Sequence, residues 1–402
     1  MSTESSDRVR ERWFQLGLVA GAVLLSLSAW LTATAVAPEL RARWALTTPQ
    51  VGWLTTVVQV GFVAGTASAA FMNLADVLSS RAYFALSALL AATANAVLLV
   101  ASDYPVALAA RFFTGFFLAG VYPPGMKMMA TWFRAERGLA IGTIVGALTV
   151  GKAMPYLMKA FGGPDAGFVI AGASWAGLLS AAMVGLAYRD GPHDFPRRAF
   201  EWRRVGRILR HRPTMLATGG YLGHMWELYA MWSLIGLFFT DYFGLRGSAR
   251  ADLHAPLATF SVIAIGGVGA VLAGRWADRV GRARVTIGSM AVSGGCALTA
   301  GWLLAAPPWL VLGVTLVWGF TIVADSAQFS AVVTERAPPD SVGTALMLQT
   351  MAGFALTGVS IQLTSTLATA WGWGPAFAIL ALGPVCGIKA MRALQPDDVP
   401  VV

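Results

Sequence analysis

Apolar runs of about twenty residues recur along almost the whole of this 402-residue chain. A helix rises about 1.5 Å per residue, so roughly 20 apolar residues cross the ~30 Å hydrocarbon core of a bilayer. Lipid offers no hydrogen bonds to the backbone, and a helix satisfies its own. The runs predict twelve helices, over 14–37, 50–72, 82–101, 106–131, 139–159, 165–188, 214–240, 254–274, 285–305, 308–333, 342–368 and 373–391. Charged residues make up only 12% of the chain, against about 25% in soluble domains. That is too few to coat a water-facing globule. The fold class that follows is an all-α membrane protein.

The first run resembles a secretory leader, since arginines precede it and Ala35-Val36-Ala37 looks like a cleavage site. The run from Trp13 to Ala37 is too long for a leader, and Pro38 follows the site directly. An uncleaved first transmembrane helix is expected. With the N-terminus inside, the inner segments carry 21 Lys and Arg and the outer ones 5. That bias puts both termini in the cytoplasm. It also accounts for the net charge of +9 without a nucleic-acid partner. Cys296 and Cys386 both lie in apolar runs and suggest neither a disulfide framework nor a metal site.

The longest polar stretch, residues 189–213, divides the chain into six-helix parts, 1–188 and 214–402. Within it, "AFEWRRVGRILR" can form a short basic amphipathic helix on the inner leaflet or serve as a solvated linker. The parts repeat. "LAD" at 74–76 matches "WAD" at 276–278, Gly115-Phe116 matches Gly319-Phe320, and Gly142-Thr143 matches Gly343-Thr344. Offsets of 201 to 204 residues indicate duplication, and six-helix halves with a site between them are a known transporter plan.

The loop "GRWADRVGRAR", residues 274–284, resembles the G-x-x-x-D-R-x-G-R-R signature of the major facilitator superfamily at Gly274, Asp278, Arg279, Gly281 and Arg282. Gly281 suits a tight turn, and Asp278 can pair with an arginine or cap a helix. The first-half copy, "MNLADVLSSR", keeps Asp76 and Arg81 but has Met72, Ser79 and Ser80 where the signature has glycine and arginine. Arg111 and Gly115 look like the family's R-x-x-x-G motif, and the end of the fourth run bears a weaker likeness to its nitrate and cyanate porters. Gly142, Gly146, Gly151 and Pro155 faintly resemble the antiporter glycine-proline motif, with Pro155 expected to kink the fifth helix. The resemblance implies two six-helix bundles, alternating access, a monomer, and gating by the two copies of the signature.

Ionisable groups at membrane depth are costly and usually face a cavity. Glu227 lies thirteen residues into the seventh run, roughly 20 Å deep. His224 is one turn away on the same side, and Tyr221 extends that side. The two titratable groups can carry a proton, bind substrate, or form a fixed pair that orients the helix. Asp325 shares a face with Thr321 and Gln328 and has the same readings. Lys152 suggests an anionic substrate or a carboxylate partner. Arg111 can reach headgroups or the cavity, and Lys127 can snorkel. Trp226, Tyr229 and Trp232 are candidates to line the cavity.

The sequence carries no phosphate-cradling loop and no zinc spacing. An enzyme is not expected, nor a cofactor; the energy is expected to come from an ion gradient, most simply of protons, or from the substrate's own gradient. The expected function is a proton-coupled symporter of a small organic or inorganic anion in the bacterial inner membrane. The alternative is a proton-driven exporter of organic cations or drugs, held by Glu227 and Asp325.

Overall fold

The computed structural model describes residues 2–72, 74–133, 136–163, 165–193 and 201–394. These residues form helices joined by short turns, with no β-strand among them. Ten helices are long and apolar enough to cross a membrane. The expected first and ninth spans are filled by Ser2–Leu27 and Arg282–Ala300. The former opens on a charged stretch and breaks after Leu27; the latter opens with Arg282 and Arg284.

The first, fourth and tenth helices are interrupted in their apolar middle, and the twelfth passes through a 3-10 turn at Ile379–Ala381. The first stops at Leu27 and resumes as Thr32–Ala35 and Ala37–Trp44. The fourth divides into Tyr104–Leu118 and Tyr122–Trp132, where Gly120, Pro123 and Pro124 disfavour continuation. The tenth divides into Pro308–Ala324 and Ser326–Arg336 at Asp325. The fifth, Arg137–Gly162, runs through Pro155 as one helix. The eighth, Ala251–Val280, extends beyond its expected end at 274. The "GRWAD" stretch is therefore helical, and only Gly281, at φ 92°, makes the turn into Arg282–Ala300.

The duplication is visible in how helices cross. A Cβ added to Gly115 would lie 2.0 Å from Val58 O, and one added to Gly319 would lie 1.8 Å from Val262 O. Both pairs have the same offset, so the second helix meets the fourth as the eighth meets the tenth. Small residues let the backbones approach at each crossing. Between the halves, Arg137–Gly162 runs along Ala251–Val280, and Thr48–Phe71 along Val342–Trp371. Gln362 Nε2 donates to Thr56 Oγ1 at 3.0 Å across the second of these seams.

The linker helix expected near 199–210 is present as Trp202–Arg210. It buries Ile208 and reaches Asp340 through Arg207 Nη1 at 3.2 Å.

Candidate functional site

Lys152 stands where the two halves meet. Its Nζ is 3.9 Å from the ring centre of Trp30, 4.5 Å from that of Tyr229 and 5.2 Å from that of Trp232. It also donates to the Tyr229 hydroxyl. Trp30 and Lys152 belong to the first half, and Tyr229 and Trp232 to the Arg212–Leu245 helix of the second. Phe62 and Phe354 form an outer layer, tilted against each other with ring centres 4.4 Å apart and packed on Trp30. Lys152 is 1% exposed. Among the described residues no carboxylate lies within salt-bridge distance of it. Aromatic faces attract an ammonium, but they do not neutralise it. A buried cation without a counter-charge is costly, and an incoming anion would supply the missing charge.

Arg111 was expected to face headgroups or the cavity. The structure instead buries it completely inside the first-half bundle. Nη1 donates to Ala29 O at 2.9 Å and to Asn95 Oδ1 at 3.0 Å, and Nη2 donates to Trp30 O. Those carbonyls belong to the break in the first helix, where the regular i−4 ladder lapses. Asn95 Nδ2 passes the network on to Ser174 Oγ at 3.0 Å. Arg111 thus holds the unwound segment whose Trp30 ring covers Lys152.

Glu227 and His224 share a helix but not a partner. Glu227 Oε1 accepts from Trp318 Nε1 at 2.7 Å, and Oε2 accepts from Ser293 Oγ at 2.9 Å. His224 Nδ1 lies 2.8 Å from Asp325 Oδ1, and Nε2 lies 3.0 Å from Ser326 Oγ. All three titratable groups are at most 2% exposed. They point toward the ninth and tenth helices, into the second bundle rather than into the seam. Asp325 sits at the helix interruption itself, so the His224 contact bridges the seventh helix to a backbone hinge.

The remaining candidates separate by face. Tyr229 enters the Lys152 cluster. Tyr221 packs on His224 and Phe329 at 6.2 and 6.1 Å. Trp226 turns away to the last helix, donating to Ile379 O at 3.2 Å. Thr321 donates to Val317 O in its own helix. Gln328 Oε1 accepts from Arg282 Nη1 at 2.8 Å and so joins the gating motif. Trp226, Thr321 and Gln328 therefore lie outside the aromatic cluster. Trp232, a candidate to line the cavity, joins the Lys152 cluster, whereas Trp30, Phe354, Ser293 and Trp318 were not among the sequence candidates. Their contacts join helices far apart in the chain, which spacing cannot reveal.

In the gating motif, Arg282 Nε also donates to Glu335 Oε1 at 2.7 Å, tying the turn at Gly281 to the end of the tenth helix. Gly274 faces Gly138 across the seam, its added Cβ 4.0 Å from Gly138 O. Arg279 is exposed. Arg81 Nε donates to Gly185 O at 2.9 Å, within the first half. The side chains of Asp76 and Asp278 lie outside the described residues.

Comparison with known proteins gives the same architecture. A transporter of Escherichia coli K12, the hexuronate transporter, is 24% identical over 406 aligned positions, covering 94% of this chain and 92% of that protein. The structure of a bacterial homologue of the human lysosomal transporter Spinster, inward-facing and unoccupied, superimposes with a TM-score of 0.72 at 14% identity, over 97% of this chain and 99% of that one. A nucleoside transporter matches with the same score at 12% identity, over 95% and 99%. The family model of the Major Facilitator Superfamily matches residues 18–361. With its duplicated halves and the seam between them, this chain belongs to the major facilitator superfamily and is a secondary transporter embedded in a membrane.

Proposed function

We propose that the protein carries a small organic anion coupled to protons, with Lys152 as the anion-binding group. The observation that carries this reading is the buried ammonium at the junction of the halves, flanked by rings and with no acidic partner among the described residues. A carboxylate arriving there gains a charge-assisted hydrogen bond and relieves an uncompensated charge. The same ammonium repels a cationic drug, which disfavours the export reading. The Escherichia coli relative is named for hexuronates, which are carboxylates. Glu227 and the His224–Asp325 contact are the groups fitted to carry a proton, because they are buried titratable groups at membrane depth on the seventh helix and at the break in the tenth.

Proteoliposomes with an imposed pH gradient test the reading, with labelled glucuronate as the probe. Driven uptake is expected in the parent protein and lost in Lys152→Gln. Glu227→Gln should lose gradient-driven uptake yet keep exchange of labelled for unlabelled substrate. Equal driven uptake by parent and Glu227→Gln would exclude Glu227 as the coupling group. Stabilisation of the purified protein by cations alone would exclude the anion.

A further inference from the structure

A cavity of about 620 Å³ lies in the second half, away from Lys152, between the starts of the eighth and tenth helices. That is roughly twenty times the ~30 Å³ that a water occupies in the liquid. Its walls are apolar: Leu257 and Ala258 on one side, Leu312 and Leu316 on the other. From Pro308 to Leu316 the wall descends about 12 Å at 1.5 Å per residue. Its mouth is polar and basic. Arg246 is fixed there by Nη2, which donates to the carbonyls of Ala305 and Ala306, and its guanidinium stacks 4.8 Å from the Tyr242 ring. His254 Nδ1 lies 3.2 Å from Ser248 Oγ, and its ring packs 5.5 Å from Phe243.

We propose that this crevice is a binding site for one anionic phospholipid, with an acyl chain between the eighth and tenth helices and the phosphate at Arg246 and His254. Three observations select that occupant. The crevice opens on the flank of spans that cross a bilayer, so acyl chains are its surroundings. Its walls offer almost nothing to a polar solute. Among the described residues, the one charged side chain lining it is a cation, Arg246, at the end of the apolar spans, the depth at which a phosphate lies. A basic side chain near an anionic membrane surface contributes ~1 kcal/mol, and a guanidinium already held in place loses little freedom on binding phosphate. The bound lipid would wedge the eighth helix, which forms one inter-half seam, against the tenth, which carries the hinge at Asp325. Lipid composition would then tune transport.

The test uses the full-length protein taken from bilayers of phosphatidylglycerol and phosphatidylcholine in equal parts. Native mass spectrometry should find one phosphatidylglycerol retained in preference to phosphatidylcholine. Arg246→Gln should weaken that preference about fivefold, the equivalent of ~1 kcal/mol. Arg246 also caps two carbonyls, so a second variant, Leu312→Trp, fills the crevice and leaves the mouth intact. It should lose the retained lipid of either kind. Equal retention of the two lipids by the parent, or undiminished retention by Leu312→Trp, would overturn the proposal. So would a second copy of the chain, rather than lipid, accompanying the parent protein.

Discussion

Replacing Tyr229 by phenylalanine leaves every ring around Lys152 in place and removes one oxygen. That oxygen is the only hydroxyl acceptor the ammonium has among the described residues. Leaving a buried donor unpaired costs on the order of 1–3 kcal/mol, so Tyr229→Phe should unfold at lower temperature. A bound carboxylate can replace the lost acceptor, so saturating anion should recover part of the loss. A thermal-shift titration checks this, and an anion response identical to the parent's would mean the hydroxyl is not the ammonium's partner. Arg111→Ala should be worse for the fold. It orphans the carbonyls of Ala29 and Trp30 and the Asn95 amide oxygen, each worth roughly 1–3 kcal/mol. Because it also frees Trp30, the surviving protein should bind anion more weakly. Arg111 was legible in the sequence as a charge within an apolar span, not as a buried one. Its use was not, since three of its acceptors come from helices 16 and about 82 residues away.

Helix crossings supply the next test. Gly115→Ala and Gly319→Ala each drive a methyl into a carbonyl oxygen at about 2 Å. The crossings are repeats of one another, so the two substitutions should lower stability and transport to a similar degree. Expression, gel-filtration profile and uptake measure this; a tolerant Gly319→Ala beside a damaging Gly115→Ala would break the equivalence. The linker helix gives a pH-dependent case. The Ser341 hydroxyl, and then Arg207 and Arg204, hold the Asp340 carboxyl below the usual carboxylate range. A lowered folded value means the tether is present at neutral pH and is lost as the pH falls through that value. Protection of the Trp202–Arg210 amides, taken relative to their intrinsic exchange rate at each pH, should therefore fall in acid, and Asp340→Asn should show the reduced protection already at neutral pH. The amphipathic pattern of that helix was readable beforehand. Its docking on Asp340 was not, because 133 residues separate Arg207 from Asp340.

Across the whole molecule, two long seams among the described residues join the halves, and a rocking mechanism predicts that contacts along them must part at one membrane face or the other during transport. Gly146 and Gly267 face each other on one seam, a Cβ on Gly146 lying 3.2 Å from Gly267 O. Thr56 and Gln362 meet on the other. A disulfide between Gly146→Cys and Gly267→Cys should stop uptake, and reductant should restore it. Full transport by the cross-linked protein would contradict a rocking mechanism.

The twofold organisation, the helical class and the gating turn at Gly281 were decided by local pattern. Apolar length, loop charge and glycine spacing act over one helix or one turn, so they survive in a linear string. The offset of about 204 residues survived for the same reason, as duplication copies spacing directly. The partners of the buried charges did not. Glu227 and His224 look like a pair because they lie three residues apart, yet the packing of the ninth and tenth helices gives Glu227 to Ser293 and Trp318, and His224 to Asp325. Lys152 and Arg111 look alike as buried cations. Only tertiary packing separates them, because a charge is satisfied by whatever lies within about 3 Å of it, and in a bundle those neighbours come from other helices.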